Sequence, residues 1–131
     1  MDDRALQQWV KEGLLIEGLQ DWSSLSDVHG AYLARCRPRR PEHEVQQLAL
    51  NMIRELVNEG LFDIGSIEGT RRHPYFEPWN LPLDEAMAKI EDAYINHFDD
   101  PWGWQTMCWL NPTDKGKELA LKLYHADEPE S

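Results

Sequence analysis

The feature that most constrains this chain is the stretch 45–57. There Val45, Leu48, Ala49, Met52, Ile53, Leu56 and Val57 repeat at the i, i+3, i+4, i+7 spacing of an amphipathic helix without a gap. So regular an apolar stripe must be covered by other elements, which puts this helix at the centre of a core. Gly60 ends it, as a glycine in the left-handed conformation does. Residues 61–67 follow at once and read as a strand, with Phe62, Ile64 and Ser66 on one side and Leu61, Asp63 and Ile67 toward the other. A chain of 131 residues with 41% apolar side chains supports one such core and has no room for two domains.

The remaining elements fall around that unit. Leu6, Trp9, Val10, Gly13 and Leu14 have helical spacing within a first helix over 4–19. A second helix over 24–36 opens on Ser24, which with Asp27 forms a capping-box-like pair, and buries Leu25, Val28, Tyr32 and Leu33. Pro38 and Pro41 forbid a continuous helix between Cys36 and the third helix. Residues 68–80 read as a loop, and 83–98 as a fourth helix with Met87, Ile90, Tyr94 and Phe98 on one stripe. The alternation over 105–110 predicts a second strand, Thr113 a cap for a last helix over 114–124, and residues 126–131 a frayed end.

Two local patterns in this order resemble a winged helix-turn-helix domain. Residues 56–62, Leu-Val-Asn-Glu-Gly-Leu-Phe, look like the end of a recognition helix turning into a wing. Residues 109–120 are similar to the wing-to-helix stretch of MarR-like and PadR-like regulators, with a strand ending at Leu110, the cap Thr113 and the pair Lys115-Gly116 in the first turn. The resemblance covers residues 1–67 and 104–124. It implies an α+β, winged-helix-like single domain over 1–131, mostly helical, with a small antiparallel sheet of two or three strands. Residues 68–103, including the fourth helix, are then an insertion between the wing strands.

Charge separates the functions open to such a fold. With 24 acidic and 13 basic residues the net charge is −11, which repels phosphate backbones and anionic membranes. The third helix itself carries Glu42, Glu44, Glu55 and Glu59 against Arg54, a sum of −3 (one minus four) that opposes DNA even though Gln47, Asn51, Arg54 and Asn58 are types that read bases. Positive charge gathers at Arg35, Arg37, Arg39 and Arg40, with Arg71 and Arg72 in the insertion; such clusters either meet phosphates or offset the nearby acidic helices. Over residues 80–110 Asp84, Glu85, Glu91, Asp92, Asp99 and Asp100 face only Lys89, with Trp79, Trp102 and Trp104 beside them. Carboxylates steer a basic partner and tryptophans anchor it, unless the tryptophans are core.

No catalytic signature is present. His97 with Asp99 and Asp100 lacks a third ligand at a recognisable spacing, the serines at 23, 24 and 26 belong to a helix cap, and no glycine-rich phosphate loop exists. Cys36 and Cys108 stand apart, so neither a disulfide framework nor a zinc site is expected, and no metal or cofactor. No apolar run approaches the length of about eighteen residues that spans a bilayer, and the acidic start Met1-Asp2-Asp3 is unlike a signal peptide, which predicts a cytoplasmic protein.

The expected function is therefore a non-enzymatic acidic protein-binding module, an immunity- or antitoxin-type inhibitor of a basic, nuclease-like toxin. Its docking residues are Glu91, Asp92, Asp99, Asp100, Trp102 and Trp104. The alternative is a winged-helix DNA-binding regulator, a homodimer through its first and last helices. It uses Arg37, Arg39, Arg40, Gln47, Asn51, Arg54, Arg71 and Arg72.

Overall fold

The computed structural model describes residues 2–36 and 38–126. The expectations for Arg37 and for a frayed end over 127–131 fall outside these residues.

The fold is α+β. Helix α1 (Asp3–Glu17) starts at Asp2, whose carboxylate accepts from the Ala5 N–H at 2.8 Å. It leads through β1 (Ser23–Ser24) into α2 (Leu25–Arg35). The capping box at the head of α2 is complete: Ser24 N–H donates to Asp27 Oδ2 at 2.8 Å, and Asp27 N–H to Ser24 Oγ at 3.2 Å. Helix α3 (Glu42–Asn58) then runs through the middle of the core, with Val45, Ala49, Met52, Ile53 and Leu56 fully buried. Gly60 takes φ 73°, a left-handed turn that lets the chain reverse into β2 (Phe62–Gly69).

Strand β2 pairs in a hairpin with β3 (Pro74–Pro78), which the sequence reads as loop. The sheet has four antiparallel strands in the order β1-β4-β2-β3, rather than two or three. β1 has two residues, too few for any period, and the prolines at both ends of β3 mark it as an edge strand. Trp79 N–H donates to Ile64 C=O at 3.1 Å, so alternate residues 75, 77 and 79 point their backbone groups at β2. Pro74 and Pro78 then fall on the outer edge and carry no N–H, which blunts that edge against a further strand.

The insertion is helical, then irregular. Helix α4 (Leu83–Glu91) ends earlier than expected and widens into a π-helical turn (Asp92–Asn96), followed by the short α5 (Pro101–Trp104). The second predicted strand also moves: β4 is Trp109–Pro112. Residues 105–108 are turned instead, because the carbonyls of Gln105 and Cys108 accept from Ser26 and Leu25 N–H at 3.0 and 3.1 Å and so serve the first turn of α2.

Helix α6 (Asp114–Ala126) locks onto the turn after α3. Thr113 Oγ1 donates to Gly60 C=O at 2.6 Å and accepts from Gly116 N–H at 3.1 Å, while Lys115 Nζ reaches Glu59 C=O at 2.8 Å. A Cβ on Gly116 would run into the Leu61 carbonyl, so this close approach requires the glycine.

Met87, Ile90 and Tyr94 of the insertion and Trp104 directly after it are 4%, 0%, 0% and 5% exposed and join the same core as α1–α3. Full burial of one such side chain is worth about 1.5–3 kcal/mol, so the insertion is an integral layer of the domain. Among the described residues no helix is long and apolar enough to cross a membrane.

Candidate functional site

The end of the insertion and Trp104 directly after it build a platform from aromatic residues. Trp104 lies stacked on Phe98 with ring centroids 4.9 Å apart, faces Tyr94 at 5.0 Å, and donates its indole N–H to Phe98 C=O at 3.0 Å. Trp104 is thus an anchor inside the core and does not present its ring to a partner, unlike the expectation from sequence. Trp102, two residues earlier on α5, is 94% exposed. Asp99 and Asp100 beside it are exposed, and Gly103 leaves room for the Asp100 carboxylate, since a Cβ there would meet Asp100 Oδ2 at 2.7 Å. Glu91 and Asp92 are exposed where α4 passes into the π-helical turn on which α5 packs. Asp92 accepts from Asn96 Nδ2 at 3.1 Å; Glu85, Glu91, Asp99 and Asp100 have no cationic partner among the described residues.

The basic side chains of the same region are already engaged. Arg54 of α3 reaches Asp84 of α4 at 2.7 Å, and the Lys89 ammonium sits 4.2 Å from the centroid of the Trp79 ring. Trp79 in turn donates to Ser66 Oγ at 2.8 Å and borders a half-open cavity of about 250 Å³ between the end of α3, the hairpin and α4.

The outer face of α3 differs from its total charge. At 100° per residue, His43, Gln47, Asn51, Arg54 and Asn58 share an arc of about 80° with no carboxylate in it, and all five are exposed. Glu44, Glu55 and Glu59 lie to one side, toward α1, where Lys11 Nζ bonds Glu59 Oε1 at 2.6 Å and Glu55 Oε2 at 3.2 Å. Burial opposes the charge on Lys11, but these two glutamates hold its ammonium above the ordinary lysine value. The charges that make the sum of −3 therefore stand beside this arc and not within it.

The two arginine groups belong to different parts of the fold. Arg39 and Arg40 precede α3, and Arg40 is held by Asp3 at 2.5 Å, whose carboxylate this hydrogen bond lowers below the usual range. Arg35 lies over Trp9 at 5.1 Å. Arg71 and Arg72 are exposed at the tip of the β2–β3 hairpin, and among the described residues neither has a carboxylate partner. Only residues 62–65 of β2 pair with β4, so the distal half of the hairpin, where β2 has β3 alone as a neighbour, projects past the sheet.

A buried polar group behind the platform escaped the sequence reading. His29 of α2 is 7% exposed and its Nδ1 is hydrogen-bonded to the Tyr94 hydroxyl, while Gln46 of α3 donates to Tyr94 C=O at 3.0 Å. No periodicity marks His29 or Gln46, because each is a polar residue in an apolar stripe whose partner lies far along the chain. Burial lowers the His29 pKa against a small opposing effect of Glu42, and burial raises the Tyr94 hydroxyl. Cys108 is likewise pushed up to about 12 by burial, a thiol without nucleophilic character at neutral pH. Among the described residues no group of three or more His, Cys, Asp or Glu side chains is arranged to hold a metal ion, and His97 gains no third ligand. No family model, no curated protein and no solved structure matches the chain.

Proposed function

We propose that this chain is a non-enzymatic acidic protein-binding module, an inhibitor of immunity or antitoxin type that covers the basic site of a nuclease-like partner. The observation that carries the proposal is Trp102. An indole 94% exposed to water, on a short helix pinned from beneath by Trp104, is a rigid anchor waiting for a pocket. Asp99 and Asp100 precede it in the chain, and Glu91 and Asp92 are exposed at the junction of α4 with the turn on which α5 packs, so their charge steers an approaching basic surface toward the anchor. Replacing Trp102 with a photo-crosslinking amino acid tests this in cells. The expected result is one adduct with a basic protein; no adduct, or adducts spread over many proteins, contradicts it.

A winged-helix-like scaffold belongs to the same proposal. Its support is the order α1-β1-α2-α3-β2 with β4 lying between β1 and β2, the hairpin partner β3 and helices α4 and α5 being added between β2 and β4.

One observation favours a second reading, the DNA-binding regulator. The carboxylate-free arc of α3 and the projecting hairpin tip with Arg71 and Arg72 have the polarity a phosphate backbone requires. Against it stand the net charge of −11 and Asp84, which neutralises Arg54 on that arc.

A further inference from the structure

The platform is seated on the rest of the fold through a polar contact inside an aromatic cage. Tyr94, fully buried in the π-helical turn, is held at both ends: its hydroxyl by His29 of α2 and its carbonyl by Gln46 of α3. Tyr94 stands in the last turn before the helix stops at Asn96, where backbone carbonyls have no donor within the helix and accept from outside. The His29 ring packs against Tyr94, Phe98 and Trp104 with centroids 5.6, 5.5 and 5.4 Å away. These three residues carry the platform, and Trp104 shares its helix with Trp102.

We propose that His29 is a pH-sensitive latch: protonation of its imidazole unseats Tyr94 and Trp104, so that the segment 92–108 loosens and the Trp102 surface loses its fixed shape. The titratable groups facing His29 are Tyr94 from the π-helical turn and, at longer range, Glu42 from α3; Phe98 and Trp104 contribute neutral rings. No carboxylate pairs with the imidazole among the described residues, and burial of the ring disfavours the imidazolium more than the distant Glu42 favours it. The direction follows. With the segment 92–108 released, His29 returns toward its ordinary 6.5, and with the segment docked burial holds it lower. Docking is fully supported above 6.5 and weakens as pH falls from there through the docked value, on the order of tenfold for each pKa unit between the two states.

The latch rests on the proposed function only for its consequence, release of a partner on acidification, and is tested on the free protein. Hydrogen exchange read by mass spectrometry at pH 7.5 and pH 5, corrected for the intrinsic pH dependence, should show protection lost in 92–108 while the peptides of α3 and β2 keep theirs. His29→Gln, which keeps a polar side chain and cannot titrate in this range, should remove that selective loss. Tyr94→Phe keeps the imidazole and should move the transition without abolishing it, so the proposal stays testable if the glutamine variant folds poorly. A loss spread evenly over the chain, or an unchanged transition in His29→Gln, overturns the latch. Neither result bears on whether Trp102 binds a partner at neutral pH.

Discussion

Trp102 and Trp104 stand two residues apart on one short helix, yet Trp102 is 94% exposed and Trp104 only 5%. In a helix two positions differ by about 200°, so when one indole is driven into the cage of Phe98, Tyr94 and His29 the other must face water. The burial of Trp104 is thus the cause of the exposure of Trp102, and the two residues answer different questions when replaced.

Trp104→Ala should destabilise the protein by about 3–5 kcal/mol through the cavity it leaves, seen as a large drop in the denaturation midpoint. Trp102→Ala should change stability by less than about 0.5 kcal/mol while abolishing capture of the partner. Equal effects of the two on stability would mean that Trp102 packs on the domain and is no docking anchor.

Charge reversal separates the two readings of function. Asp99→Lys with Asp100→Lys should slow association with a basic protein on the order of tenfold at low salt and leave any DNA binding untouched. Arg71→Ala with Arg72→Ala should do the opposite, as should the pair Arg39→Ala and Arg40→Ala. Binding kinetics at two salt concentrations read both.

Gly116→Ala should destabilise by about 1–3 kcal/mol, although alanine is the better helix former. The added methyl group meets the Leu61 carbonyl and pushes α6 off the turn after α3. Chemical denaturation measures this, and an unchanged or raised midpoint contradicts the packing.

The capping box at α2 gives a fourth test. Ser24→Ala should cost about 1 kcal/mol, and a double-mutant cycle with Asp27→Ala should show strong coupling, since each side chain serves the other's backbone N–H.

These tests lean on features of unequal legibility in the sequence. Helix α3, the Gly60 turn, the Ser24 capping box and the Thr113 cap are local: each is a spacing or a residue type whose physical reason lies within a few positions of the chain. The π-helical turn and the early end of α4 carry no such local mark, and the donor that meets the Tyr94 carbonyl there, Gln46, lies 48 positions away. Strand β3 was hidden by its prolines, which serve it only because it lies at an edge.

The candidate site divides in the same way. That Asp99, Asp100 and Trp102 lie together follows from adjacency, whereas which of Trp102 and Trp104 faces out depends on a cage assembled from α2 and the insertion. The sum of the charges on α3 does not tell how they are placed, since Lys11 comes from another helix to hold Glu55 and Glu59 to one side.

The central claim is that the surface around Trp102 binds a basic protein. Its most direct test is capture by the tagged wild-type chain and by the Trp102→Ala variant from native cell extract, with and without nuclease treatment, read by quantitative mass spectrometry. The account predicts a stoichiometric basic protein that survives nuclease and is lost with Trp102→Ala. Enrichment of DNA of one sequence without a protein partner, or the same proteins captured by both chains, would contradict it.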